Sequence, residues 1–136
     1  ETTIREHYQV RAALESAACA LCCENDADLE GIRNALKVAE ESLKEGDSSN
    51  FADYNQSFHY EIWKASGNKK IRKMLAELWN GLSIGAKSTV EEYAHRSHKE
   101  HKDIFAALEK RDAGQVRELM DYHIRRSMED VLTRYQ

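Results

Sequence analysis

Apolar residues recur along this chain at three- and four-residue intervals, the spacing that lines one face of an α-helix. Ile4, Tyr8, Leu14, Ala18 and Leu21 or Cys22 form the first such stripe, with Arg11 in phase, and it stops at Asn25 and Asp26, residues suited to a turn. The spacing predicts a helix over 3–24. Leu29, Ile32, Leu36, Ala39 and Leu43 form a second stripe, closed by Gly46 after Lys44. Beyond the polar connector 47–50, Phe51, Tyr54, Asn55, Phe58, His59 and Ile62 share one face until Ser66-Gly67-Asn68. Ile71, Leu75, Leu78, Leu82 and Ala86 predict a fourth helix that ends before the polar stretch 91–96. Ser97 and Glu100 have capping-box spacing, which predicts a fifth helix starting there and carrying His101, Ile104, Phe105 and Leu108. Asp112 can cap a sixth, with Val116, Leu119, Met120, His123, Ser127 and Val131 on its inner face. Six helices with short connections predict an all-α antiparallel bundle.

Composition sharpens this picture. Average proline usage of roughly 5% would supply about seven prolines, yet the 136 residues contain none. An apolar content of 41% suffices for one domain over 1–136 with a real core. The net charge of -4 leaves no basic footprint for nucleic acid, so this segment is not expected to bind DNA itself. No apolar run approaches the roughly 20 residues that span a bilayer, and no signal-peptide pattern opens the chain. The expectation is a soluble, cytoplasmic protein without membrane contact. Glu1 in place of Met suggests that the N-terminus is cut from something longer. Cys19, Cys22 and Cys23 are odd in number and sit within little more than one helical turn, which resembles no disulfide framework. A CxxCC cluster can hold metal, but among small residues of a helix these thiols read as buried and inert.

Candidate chemistry lies in the polar residues that share the apolar stripes. One histidine on an apolar face is more often a buried structural residue than a ligand. Here His59, His101 and His123 lie in phase on three different helices, and Asn55 stands one turn before His59. A core normally spends its polar tips singly, so the joint pattern points to a buried divalent metal held by Asn55, His59, His101 and His123. His7, His95 and His98 lack such support and are expected to face water. Arg11 also occupies an inner phase, and a guanidinium cannot shed its charge on burial. Its partner is either Glu15, one turn on, or a bound anion. Neutral imidazoles and an amide would leave a divalent ion's charge uncompensated, which favours a small carboxylate bridging the metal and Arg11. Trp63 and Trp79 read as packing anchors, inside the domain or between subunits.

Four pieces carry a resemblance to a known family. They are Val10-Arg11 with Leu14-Glu15; FADYNQSFH over 51–59 with Ser66-Gly67-Asn68 beyond; Glu100-His101 leading into Ile104 and Ala107; and Asp112 with Met120 and His123. In order and separation the chain resembles the C-terminal ligand-binding (FCD) domain of the FadR subgroup of GntR-type bacterial transcription regulators. The resemblance implies an all-helical, homodimeric sensor domain that reaches DNA only through an N-terminal winged helix-turn-helix domain absent from this chain. It implies metal ligands at Asn55, His59, His101 and His123, and a small organic-acid effector held between the metal and Arg11. Many members have Asp where this chain has Asn55, which lowers the negative charge of the donor set. Zinc or nickel suits such a donor set, with manganese or iron as further candidates. No catalysis is expected. The rivals are a metal-dependent hydrolase or lyase on a helical bundle, for which a carboxylate base is lacking because Glu100 should point about 100° from His101, and a metal-free helical interaction module.

Overall fold

The computed structural model describes residues 2–47, 50–81 and 91–134. Its helices are α1 (Thr2–Glu24), α2 (Glu30–Lys44), α3 (Phe51–Ala65), α4 (Lys69–Gly81), α5 (Glu91–Glu109) and α6 (Ala113–Arg134), and no strand occurs among the described residues. The chain is therefore an all-α bundle, as the periodicity predicts. Leu82 and Ala86, expected on the fourth helix, lie outside the described residues.

Helix α1 is central. It packs against α3, α4, α5 and α6, most extensively against α6, and its buried positions include Arg11, Ala12, Glu15, Ser16, Ala18, Cys19, Ala20 and Cys22. These cover about half of the circumference at 100° per residue, far more than a surface helix buries. Small side chains permit this close approach: Ala12, Ala18, Cys19 and Ala20 are fully enclosed, and the Ser16 hydroxyl donates to the Arg117 carbonyl of α6 at 3.4 Å. The cysteines are core residues as expected, with Cys19 and Cys22 buried and Cys23 partly so. By contrast α2 buries one narrow stripe, Ile32, Leu36, Ala39 and Leu43, and lies outside against α3 and α5.

The turns follow from local chemistry. Gly46 at φ +77° lets α2 close with Gly46 N–H on the Leu43 carbonyl and Asp47 N–H on the Ser42 carbonyl, a Schellman pair. Asp112 caps α6 as predicted, its Oδ1 accepting the Gln115 N–H at 3.0 Å. Two non-glycine residues, Asp26 and Arg111, hold positive φ at the ends of α1 and α5. Arg111 offsets its backbone cost by clamping another corner: Nη1 donates to the Cys22 carbonyl at 3.0 Å and Nη2 to the Ala27 carbonyl at 2.7 Å.

One boundary differs from expectation. Helix α5 starts at Glu91, so the polar stretch 91–96 is helical and Ser97 lies inside the helix, where it is fully buried and accepts from Arg126 Nη2 at 3.0 Å. Ala94, buried against Leu43 and Phe51, extends the apolar stripe one turn upstream, and its polar neighbours hid it.

Arg111→Ala should therefore destabilise the domain by about 2–3 kcal/mol, since two hydrogen bonds from a charged donor are lost and the Ala27 carbonyl loses its side-chain partner. Urea denaturation monitored by far-ultraviolet circular dichroism checks this; an unchanged midpoint would contradict the clamp.

Candidate metal centre

Three helices bring the histidines together. His59 from α3, His101 from α5 and His123 from α6 are all buried, and their potential ligand atoms lie within 4.8 Å of one another. The His101 and His123 Nε2 atoms are 3.1 Å apart. Such a separation suits two nitrogens that each stand roughly 2.0–2.1 Å from a shared cation. The Phe58 ring stacks on His101 with centroids 4.1 Å apart, and His59 lies parallel to His123 at 5.3 Å. Packing thus fixes the rings before any ligand arrives.

Two carboxylates orient the imidazoles from behind. His59 Nδ1–H donates to Glu15 Oε1 at 2.5 Å, and His123 Nδ1–H donates to Glu100 Oε1 at 2.6 Å. Burial alone would push both carboxyls up. For Glu15, His59 and the Arg11 guanidinium, with hydrogen bonds from His59 and Trp63, hold it well below the usual carboxylate range. For Glu100, hydrogen bonds from His123 and Arg126 bring it below its ordinary value. An ionised carboxylate only accepts, so both histidines carry a proton on Nδ1, which leaves Nε2 as the ring nitrogen available to a ligand. Carboxylate–histidine pairs of this kind back the ligands of many protein metal sites.

The fit to a cation can be tested on the atoms left over. Among the described residues, the buried side-chain atoms without a hydrogen-bond partner are His59 Nε2, Asn55 Oδ1 and, outside the cluster, both ring nitrogens of His98. Leaving such a group unsatisfied costs about 1–3 kcal/mol, and a cation held by the three histidines would engage His59 Nε2. The donor set of three imidazole nitrogens suits borderline divalent metals. The residues present therefore fit a metal ion.

Arg11 joins this cluster through Glu15. Its Nε donates to Glu15 Oε2 at 2.8 Å, and its guanidinium carbon lies 4.4 Å from the Trp79 ring centroid and 5.5 Å from that of Tyr8. The internal ion pair with Glu15 is thus present. Trp63 is a buried anchor within the domain and donates from Nε1 to Glu15 Oε1 at 3.0 Å, while Trp79 is half-buried against Arg11, His59 and Trp63. Glu100 is engaged by His123 and twice by Arg126, the latter at 2.8 and 2.6 Å.

Sequence reasoning underrated the carboxylates. Glu15 entered only as a partner for Arg11, although its phase with Ala12, Ala18 and Cys19 marks it as internal; Glu100 carried no such signal. His98 is a correction. Expected in water as a first-turn residue, it is 5% exposed, because α5 begins two turns earlier and faces it toward α2, with Nε2 3.6 Å from Glu40. Of the other two, His95 is exposed and His7 half-buried.

Burial and the neighbouring His59 drive two histidine pKa values down: His101 well below its ordinary 6.5, and His123 to about 4, burial being the larger cause in each. A depressed histidine contributes stability that is complete above the unfolded value near 6.5 and is lost as pH falls toward the folded value. Without metal, the domain should lose about 2 kcal/mol from His123 alone between pH 7 and pH 5, with Glu15 and Glu100 adding losses only below about 4.5. Urea midpoints of chelator-treated protein across this range measure it; a flat profile would show that these imidazoles are not buried neutral.

No curated protein matches the chain. A family model, that of the FCD domain, matches residues 6–126, a span that contains Arg11, Glu15, the three clustered histidines, Asn55 and Glu100. The chain belongs to the FCD-domain family, the effector-binding domains that form the C-terminal part of GntR-type regulators.

Proposed function

We propose that this domain senses a small carboxylate metabolite at a buried divalent-metal site and, as a homodimer, sets the operator affinity of a separate winged helix-turn-helix domain. His59, His101 and His123 are the metal's imidazole ligands and Asn55 its amide ligand, with zinc or nickel favoured by the donor types and manganese or iron next. The observation that carries this reading is the convergence of three buried histidines from three helices, with His59 Nε2 left without a hydrogen-bond partner.

Charge supports an anionic effector. Glu15 is paired with Arg11, and Glu100 with Arg126, so neither carboxylate brings net charge to a cation among neutral ligands. When bound, the metal supplies a Lewis-acidic anchor for one carboxylate oxygen. Arg11, near the cluster and confined by Trp79, supplies a cationic donor for the other. The effector would then tie α1 to α3, α5 and α6 and favour one arrangement of the bundle by binding it selectively.

A metal-free interaction module is served by one contact, since an Nε2–H on His101 would hydrogen-bond to His123 Nε2 at the 3.1 Å observed. That tautomer does nothing for His59 Nε2 or Asn55 Oδ1. A hydrolase is disfavoured because the carboxylates nearest the histidines already accept two or more donors each.

Elemental analysis should find near-stoichiometric divalent metal in wild type and little in His59→Ala, and chelation should lower the melting temperature. At 100-fold excess over its dissociation constant a bound ion stabilises by roughly 2.7 kcal/mol. No metal, and no response of the melt to added zinc, nickel or manganese, would sink the reading. In a regulator carrying the DNA-binding domain, Arg11→Ala should weaken effector-dependent operator release by at least about tenfold, as expected for loss of a charge-assisted pair worth 1.5–3 kcal/mol; unchanged release would remove Arg11 from the effector site.

A further inference from the structure

Two of the three clustered histidines are backed by the same chain of groups, imidazole to carboxylate to guanidinium: His59–Glu15–Arg11 and His123–Glu100–Arg126. The outer ends differ. Arg126 is held on all sides, by both Glu100 oxygens, by Ser97 Oγ at 3.0 Å and by Asp130. Arg11 donates Nε to Glu15 and otherwise lies over the Trp79 and Tyr8 rings, which hold a guanidinium by its face and leave its edge for acceptors.

We propose that Glu15 is a positioning residue that couples Arg11 to His59, so that the charge state around Arg11 sets how tightly His59 holds a divalent cation. The inference rests on the metal reading above. Glu15 is fully enclosed and divides its oxygens: Oε1 accepts from His59 Nδ1 and Trp63 Nε1, and Oε2 accepts from Arg11 Nε. This division fixes His59 with its proton on Nδ1, leaving Nε2 as the ligand atom. It also makes the negative charge felt by His59 depend on Arg11. An anion that engages Arg11 draws the guanidinium's charge away from Glu15, which leaves the carboxylate freer to polarise the His59 ring and strengthens Nε2 as a donor. Metal and anion therefore tighten each other, and reciprocity requires the same factor in both directions. The Arg126 arm, already saturated, fixes the tautomer of His123 without taking part in this response.

The test needs no effector. Zinc affinity of the chain is measured by competition with a chromophoric chelator for wild type, Glu15→Gln, Arg11→Met and the double variant, and histidine nitrogen NMR of the metal-free proteins reads the His59 tautomer. Glu15→Gln should weaken zinc binding by roughly 10–100-fold and admit the Nε2-protonated form of His59. Arg11→Met should tighten zinc binding several-fold where Glu15 is present and by less than about twofold in the Glu15→Gln background; direct repulsion between Arg11 and the ion would act equally in both. Equal effects of Arg11→Met in the two backgrounds, or a Glu15→Gln protein with wild-type zinc affinity and an unaltered His59 tautomer, would overturn the coupling. Should wild type bind no zinc, the metal reading and the coupling both fall, and a His59 still fixed by Glu15 would separate that result from a wrong assignment of the tautomer. If Glu15→Gln does not fold, Trp63→Phe, which removes one donor from the same oxygen, should shift zinc affinity in the opposite direction to Glu15→Gln; no shift would overturn the proposal.

Discussion

One buried carboxylate organises this domain. Taking Glu15 out of water costs several kcal/mol unless its lone pairs are met, and three donors from two helices meet them: Arg11 from its own helix, and His59 and Trp63 from α3. Each donor is itself large and fixed by aromatic neighbours. Removing any one partner leaves an exposed need on the others, so the register of α1 against α3 is specified by charge as much as by packing. The central position of α1 follows from the same point. A helix that carries an ion pair inward must be covered on more than one side, and here α3, α4, α5 and α6 cover it.

The fold was legible because the chain contains no proline and keeps a helical apolar period over most of its length. Errors arose where polarity and burial separate. Among the described side chains between 91 and 96, Ala94 and the partly buried Tyr93 mark the inner face, and their charged neighbours resemble a linker; the helix forms because its residues are competent helix formers and Ala94 docks on Leu43 and Phe51. The spacing of Ser97 and Glu100 then imitated a capping box that a preceding helical turn makes impossible. That error carried His98 into solvent, whereas two further turns of α5 turn it toward α2.

The candidate site was legible in part for a related reason. Histidines at apolar phases stand out, since nothing about packing calls for three of them, and the structure brings all three within one small volume. Carboxylates stand out less, because Glu is the expected residue on any solvated helix face, and only Glu15 has a phase that marks it as internal. Glu15 and Glu100 acquire their meaning only from partners 44 and 23 residues away, and no periodicity reports a distance between helices. Asn55 and Arg11 fall between these cases: their phase reveals that they point inward, but not what they meet there.

The Arg111 clamp has a mechanical consequence. Helix ends fray first, because their last carbonyls lack partners within the helix, and a fraying end absorbs strain instead of passing it on. By donating to the Cys22 carbonyl, which also accepts the Ala27 N–H, and to the Ala27 carbonyl just past the helix, from a corner 89 and 84 residues away, Arg111 lowers that compliance at the far end of α1. A displacement felt at Arg11 is then passed along a helix seated at its far end, which favours tilting as a whole over unwinding.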